Sequence, residues 1–169
     1  MTSGQAFAAM DRLLDEARTG MFHLRQPAIA DMVVAAIQYN AKNLDHCDLH
    51  SFVVMPNHVH LLVTPKVGLP KMTKSLKGIT AKRANEILSL QGSTFWQDES
   101  YDHLVRNDHE FEKIRRYIEE NPVRAGLARE ASEYRWSSAA APTGGSAADQ
   151  GVRPTLVSKA GRGQSQSWW

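Results

Sequence analysis

The chain has 169 residues, 42% of them hydrophobic, which suits one domain with its own core and argues against a second full domain. A single cysteine, Cys47, excludes an internal disulfide and a cysteine-based zinc site, and no stretch reads as a membrane span or a leader, so a cytoplasmic protein is expected. The formal net charge is only +2, but residues 49–85 hold no Asp or Glu while Lys66, Lys71, Lys74, Lys77, Lys82 and Arg83 fall there, which suits either a polyanion partner or a solvated helix face.

Phe7, Met10, Leu13, Leu14 and Ala17 recur at helical spacing, with Gly20 as the stop. A second helix is expected from about Ala28, where Pro27 suits a first turn and Ile29, Met32, Val33, Ala36 and Ile37 form one apolar stripe. Residues 49–55 read as a strand, Pro56-Asn57 as a turn and 58–64 as the returning strand, which Pro65, Gly68 and Pro70 end. A long helix over 72–90 carries Leu76, Ile79, Ile87 and Leu88 inward and its lysines outward, with Gly78 as a weak point and Gly92 closing it. Residues 101–106 suit a third strand. Asn107 with Glu110 resembles a capping box opening a helix from about Asp108, with Phe111, Ile114 and Ile118 inward. Residues 139–169, rich in Ala, Gly, Ser and Gln, show no apolar period and are expected to be a mobile tail on a folded unit of 1–138. Trp168 and Trp169 could dock onto the body or onto a base.

The run Met55-Pro56-Asn57-His58-Val59-His60-Leu61-Leu62-Val63 carries the most chemistry. Side chains two apart on a strand share a face, so His58 and His60 project together while Val59, Leu61 and Val63 face a core. That pair could clamp a divalent cation on a rigid element, or form a polar surface stripe. Tyr117 and Asn121 are four apart on the later helix and therefore stack on one face. A phenol is a poor nucleophile at neutral pH unless a metal or base assists it, so a nearby metal would give Tyr117 a role. The alternative is that Tyr117 packs its ring and Asn121 ends the helix before Pro122. Trp96, Tyr101, His103 and Trp136 read chiefly as core or structural residues, and His23, His46, His50 and His109 as surface ones.

Taken together, Met55-Pro56-Asn57-His58-Val59-His60, the basic helix with Ile79-Thr80-Ala81-Lys82, Phe95-Trp96-Gln97 with Tyr101-Asp102-His103, and Tyr117-Ile118-Glu119-Glu120-Asn121-Pro122-Val123-Arg124-Ala125-Gly126 resemble the REP-associated tyrosine transposases of the HUH superfamily. The resemblance runs from about Pro27 to Ser138. It implies an α+β, ferredoxin-like (RRM-like) antiparallel sheet with helices on one face. It also implies a metal-dependent nuclease and strand transferase that cuts single-stranded DNA beside hairpins through a 5′-phosphotyrosine link. His58, His60 and Asn121 would then ligate Mg²⁺ or Mn²⁺ and Tyr117 would be the nucleophile. Lys74, Lys77, Lys82, Arg83, Arg115 and Arg116 would hold the DNA backbone, adding affinity rather than sequence choice. Monomer and homodimer both remain open, and the alternative function is a truncated or domesticated protein that grips DNA hairpins without cutting.

Members usually begin with a strand that becomes central in the sheet, and this chain has no such run ahead of its first helices. Without it two strand edges would lie unpaired. A late-started chain, another strand or a second subunit, or a decayed relative would each account for the gap.

Overall fold

The computed structural model describes residues 22–97, 101–141 and 164–168, the last five and Tyr101 by their backbone. The helix expected over 7–17 lies outside them. Pro27 opens α1 (Pro27–Lys42), where its missing N–H costs nothing and its fixed φ is already helical. Ile29, Ala30, Val33, Ala36 and Ile37 are buried along one stripe. β1 (Cys47–Val54) and β2 (Val59–Pro65) form the expected hairpin: Val54 lies opposite Val59, and Met55 N donates to His58 O at 2.8 Å across the Pro56-Asn57 loop.

α2 (Leu69–Leu88) starts three residues ahead of the expected 72, because Pro70 sits in its first turn and opens the helix instead of merely ending the hairpin. Ser89 closes it in the left-handed region at φ 55°. Met72, Leu76, Thr80 and Ala84 line the buried side, while Ile79 and Ile87, expected inward, are 39% and 47% exposed. A chain of four-residue steps from Met72 wins because Thr80 also meets Trp96, whose Nε1 donates to Thr80 Oγ1 at 2.8 Å.

β3 (Tyr101–Val105) leads into α3 (Asp108–Arg124). Asn107 Oδ1 accepts from Glu110 N at 2.9 Å, the first half of the expected capping box. The second half differs: Glu110 Oε2 accepts from Arg106 N at 2.8 Å, one residue earlier than the box requires. That bond, with help from His103, holds the Glu110 carboxyl below its ordinary range. α3 also continues through Pro122 to Arg124, so Asn121-Pro122 does not end it. Proline removes a single N–H there, two residues from the end, where the ladder is already running out.

A fourth strand, β4 (Gln164–Trp168), comes from the segment expected to be a mobile tail. The sheet order is β1-β2-β4-β3, and every neighbouring pair is antiparallel. β4 thus occupies the gap between β2 and β3 that the sequence leaves open, with Trp168 in register with both His60 and Tyr101. The edges of β2 and β3 that would otherwise be bare are both paired.

Helices cover both faces of this α+β sheet. Phe52, Val54, Val59, Leu61 and Val63 pack with α1 and α2 in one core. Val53, Met55 and Leu62 pack with Ile114 and Ile118 of α3 in a second. The single helical layer expected from the resemblance holds for α1 and α2, and α3 lies across the opposite face. Each fully buried aliphatic side chain contributes roughly 1.5–3 kcal/mol, and Ile118, at 0% exposure, anchors α3 over the histidines. No helix among the described residues is long and apolar enough to cross a membrane.

Candidate active site

His58 and His60 leave the same face of the β2 arm, as their spacing predicts, with ring centroids 4.8 Å apart and planes at 81°. Both are 1% exposed, because α3 roofs that face. Ile118, buried at the centre of this roof, fixes the rotation of α3, and Tyr117 and Asn121 then turn toward the histidines one helical turn apart. The Tyr117 ring stands edge-on to His60 with centroids 6.3 Å apart. Asn121 is buried and its Nδ2 lies 3.4 Å from His60 Nε2. Four side chains named from sequence, on two elements far apart in the chain, therefore meet.

The donors gathered here are two imidazoles and a carboxamide. Among the described residues no group of three or more His, Cys, Asp or Glu could hold a metal. A divalent ion between His58, His60 and Asn121 would keep further positions for water or phosphate oxygens, which fits Mg²⁺ or Mn²⁺ chemistry with an oxygen-rich substrate. The amide of Asn121, rotated, presents an oxygen to the same point that its nitrogen now approaches.

Two contacts at the site lie outside the sequence reading. Asn57 Oδ1 is 2.7 Å from His58 Nδ1. Arg124 lays its guanidinium over the Tyr117 ring, with Cζ 4.4 Å from the centroid, and reaches Glu120 Oε2 at 3.3 Å. The signal for Arg124 is its seven-residue separation from Tyr117, two turns along one helix face.

The basic residues divide. Lys74, Lys82, Arg83 and Arg116 are exposed. Lys77 donates to Gln97 O at 2.9 Å and, with Lys74, Thr73 and Phe95, lines an open groove of about 510 Å³ beside α2. Arg115 instead folds along its own helix onto Glu112 and Glu119 at 2.9 and 2.8 Å, and those carboxylates raise its pKa further.

Several of the remaining aromatic and histidine residues have structural partners. Trp96 is buried against Thr80, and Trp136 Nε1 donates to Asp31 Oδ1 at 2.9 Å. His103 Nε2 meets Glu110 Oε1 at 2.9 Å. His50, read from sequence as a surface residue, is half-buried between Thr64 Oγ1 at 2.7 Å and the Phe111 ring, and burial lowers its pKa. His23 stacks on Phe95 at 5.9 Å and His46 is half-buried, whereas His109 is exposed as expected. The Tyr101 ring lies outside the described residues.

Comparison with known proteins bears on this arrangement. A solved REP-associated tyrosine transposase bound to a REP hairpin is similar in fold, with a TM-score of 0.53 at 20% sequence identity over 73% of this chain and 70% of that one. No curated protein sequence matches. The family model described as "Transposase IS200 like" matches residues 22–121, a span that includes both histidines, the tyrosine and the asparagine. The chain belongs to the IS200-like transposase family.

Proposed function

We propose that this protein is a metal-dependent DNA nuclease and strand transferase that cuts single-stranded DNA beside a hairpin and retains the cut end on Tyr117. The observation that carries the reading is the convergence of Tyr117 and Asn121 from α3 on His60 from β2. His58, His60 and Asn121 would hold Mg²⁺ or Mn²⁺, which when bound would supply positive charge to the scissile phosphate. Tyr117 Oη would attack phosphorus. A Tyr–O–P bond forms, the P–O3′ bond breaks, the phenolic proton passes to water, and the departing 3′-oxygen takes up a proton as a hydroxyl. Because one phosphate ester replaces another, no external energy source is needed and the 3′-hydroxyl can reverse the step. Arg124, stacked on the phenol ring, holds the nucleophile in line and keeps positive charge beside the phosphate it attacks.

Lys74, Lys77, Lys82, Arg83 and Arg116 would hold the DNA backbone, Lys74 and Lys77 from the groove beside α2. Arg115 can join them only by leaving its two glutamates. The hairpin is the substrate element suggested by the solved relative, which is bound to one.

The test is an oligonucleotide with a hairpin and short single-stranded flanks, incubated with Mn²⁺ or Mg²⁺ and run on a denaturing gel. The expected result is a protein–DNA adduct that is lost in Tyr117→Phe and on chelation. Salt-sensitive binding with no adduct in the wild type would overturn the catalytic reading in favour of a hairpin-binding protein. Cleavage that survives Tyr117→Phe but not His58→Ala would replace the tyrosine with water as nucleophile.

A further inference from the structure

His58 and Asn57 are chain neighbours, and neighbouring side chains in a strand point apart. In the turn they meet. Pro56 fixes the first backbone angle of the two-residue loop, and the bond from Met55 N to His58 O at 2.8 Å closes it, so the backbone itself sets Asn57 beside the His58 ring. The resulting contact is 2.7 Å between His58 Nδ1 and Asn57 Oδ1. A carboxamide oxygen can only accept, so Nδ1 must donate. In a neutral imidazole the proton on Nδ1 leaves the lone pair on Nε2.

We infer that Asn57 is a positioning residue for the metal site: it holds His58 in the Nδ1-protonated tautomer and makes Nε2 the ligand atom. The inference rests on the metal-dependent reading above. A histidine ligand whose second nitrogen is held by a hydrogen bond is both oriented and more basic, and loss of such a partner typically costs 10–100-fold in metal affinity. Asn57 acts one step back from the cation.

The experiment uses full-length protein labelled with ¹⁵N-histidine, without DNA. In the metal-free wild type, long-range ¹H–¹⁵N correlation at neutral pH is expected to show His58 protonated on Nδ1 only. Asn57→Ala should redistribute the proton toward Nε2 and weaken Mn²⁺ binding, followed by electron paramagnetic resonance of free Mn²⁺, by about 10–100-fold. Asn57→Asp, whose carboxylate still accepts, should restore both the tautomer and the affinity. Circular dichroism and the His60 signals report whether each variant is folded. His58 protonated on Nε2 in the wild type, or an Asn57→Ala protein with unchanged tautomer and Mn²⁺ affinity, would overturn this assignment alone. A wild type that binds no Mn²⁺ would overturn the metal reading and this assignment with it.

Discussion

Tyr117 and Arg124 show how much of the site depends on single side chains. The guanidinium over the phenol ring is a cation–π contact, on the order of 0.5–2 kcal/mol, and in the proposed reaction it would also present charge beside the phosphate. Arg124→Ala should therefore slow adduct formation about tenfold, the rate equivalent of roughly 1.4 kcal/mol, while Mn²⁺ affinity stays at the wild-type value because no proposed ligand is touched. Equal adduct rates in the two proteins would remove Arg124 from the mechanism. A second residue-scale expectation concerns alkaline pH. Burial pushes Tyr134, whose hydroxyl donates to Val54 O at 2.9 Å, up to about 12, and pushes Cys47 up to about 11 from 9.0. The folded state keeps both protons after the unfolded chain has begun to release them, so stability is full below pH 9 and falls as pH rises through that window. Denaturant titrations across pH 8 to about 12 should show this fall, and Tyr134→Phe should flatten its upper part after a cost of about 1 kcal/mol at neutral pH. The pairing of His58 with His60 and of Tyr117 with Asn121 was legible in the sequence because each follows from strand or helix period alone. Arg124 was not, since nothing in the sequence assigns it a role at the site and the alternative reading of Asn121-Pro122 as a helix stop places it beyond the period that joins it to Tyr117. Asn57 was hidden in the same way, as a turn residue whose type the turn already explains.

At the scale of elements, α3 brings the chemistry together, and its start is more tightly held than its end. Asn107 caps the first turn while Glu110 ties Arg106 N and His103 to it, so three hydrogen bonds fix where the helix begins. Asn107→Ala should lower stability by about 1 kcal/mol, or roughly 2–4 °C in thermal midpoint for a domain of this size. Differential scanning fluorimetry would measure it, and an unchanged midpoint would mean that Glu110 alone sets the start. Acid should weaken the same corner: the Glu110 carboxyl sits below its ordinary pKa, so its contribution is present above the unfolded value and is lost as pH falls toward the folded one. The hairpin, α1 and α3 were readable because their apolar residues recur at a single period. For α2 the sequence placed Leu76, Ile79, Ile87 and Leu88 inward together, and only the partner surface formed by Trp96 and α1 shows that Ile79 and Ile87 lie outside the buried stripe.

For the whole molecule, the decisive piece is the one that sequence pattern could not supply. β4 reads Gln-Ser-Gln-Ser-Trp, with no apolar alternation, so nothing in its composition separates it from a polar tail. A strand paired on both sides can gain its place from the backbone ladder, and that contribution does not depend on side-chain type. Here the ladder joins His60 through Leu61, Leu62 and Val63 on one side, and Tyr101 to Val105 on the other. The strand that bears His60 is thus held in place by residues about a hundred positions further along. Gln166, opposite both Leu62 and His103, is the central link. Proline there removes an N–H from the middle of a sheet, where proline is essentially not tolerated. Gln166→Pro should lower the thermal midpoint by several degrees and weaken Mn²⁺ binding together, because the same loss loosens the fold and frees His60. A chain ending at Ala141 should do the same more severely, leaving two bare strand edges and a tendency to aggregate that rises with concentration. A synthetic peptide of residues 162–169 added to that shortened chain should restore part of the midpoint and of the Mn²⁺ affinity, since an extended segment can pair with open edges from outside the chain. If the shortened chain melts and binds Mn²⁺ as the full one does, β4 holds nothing that the site needs.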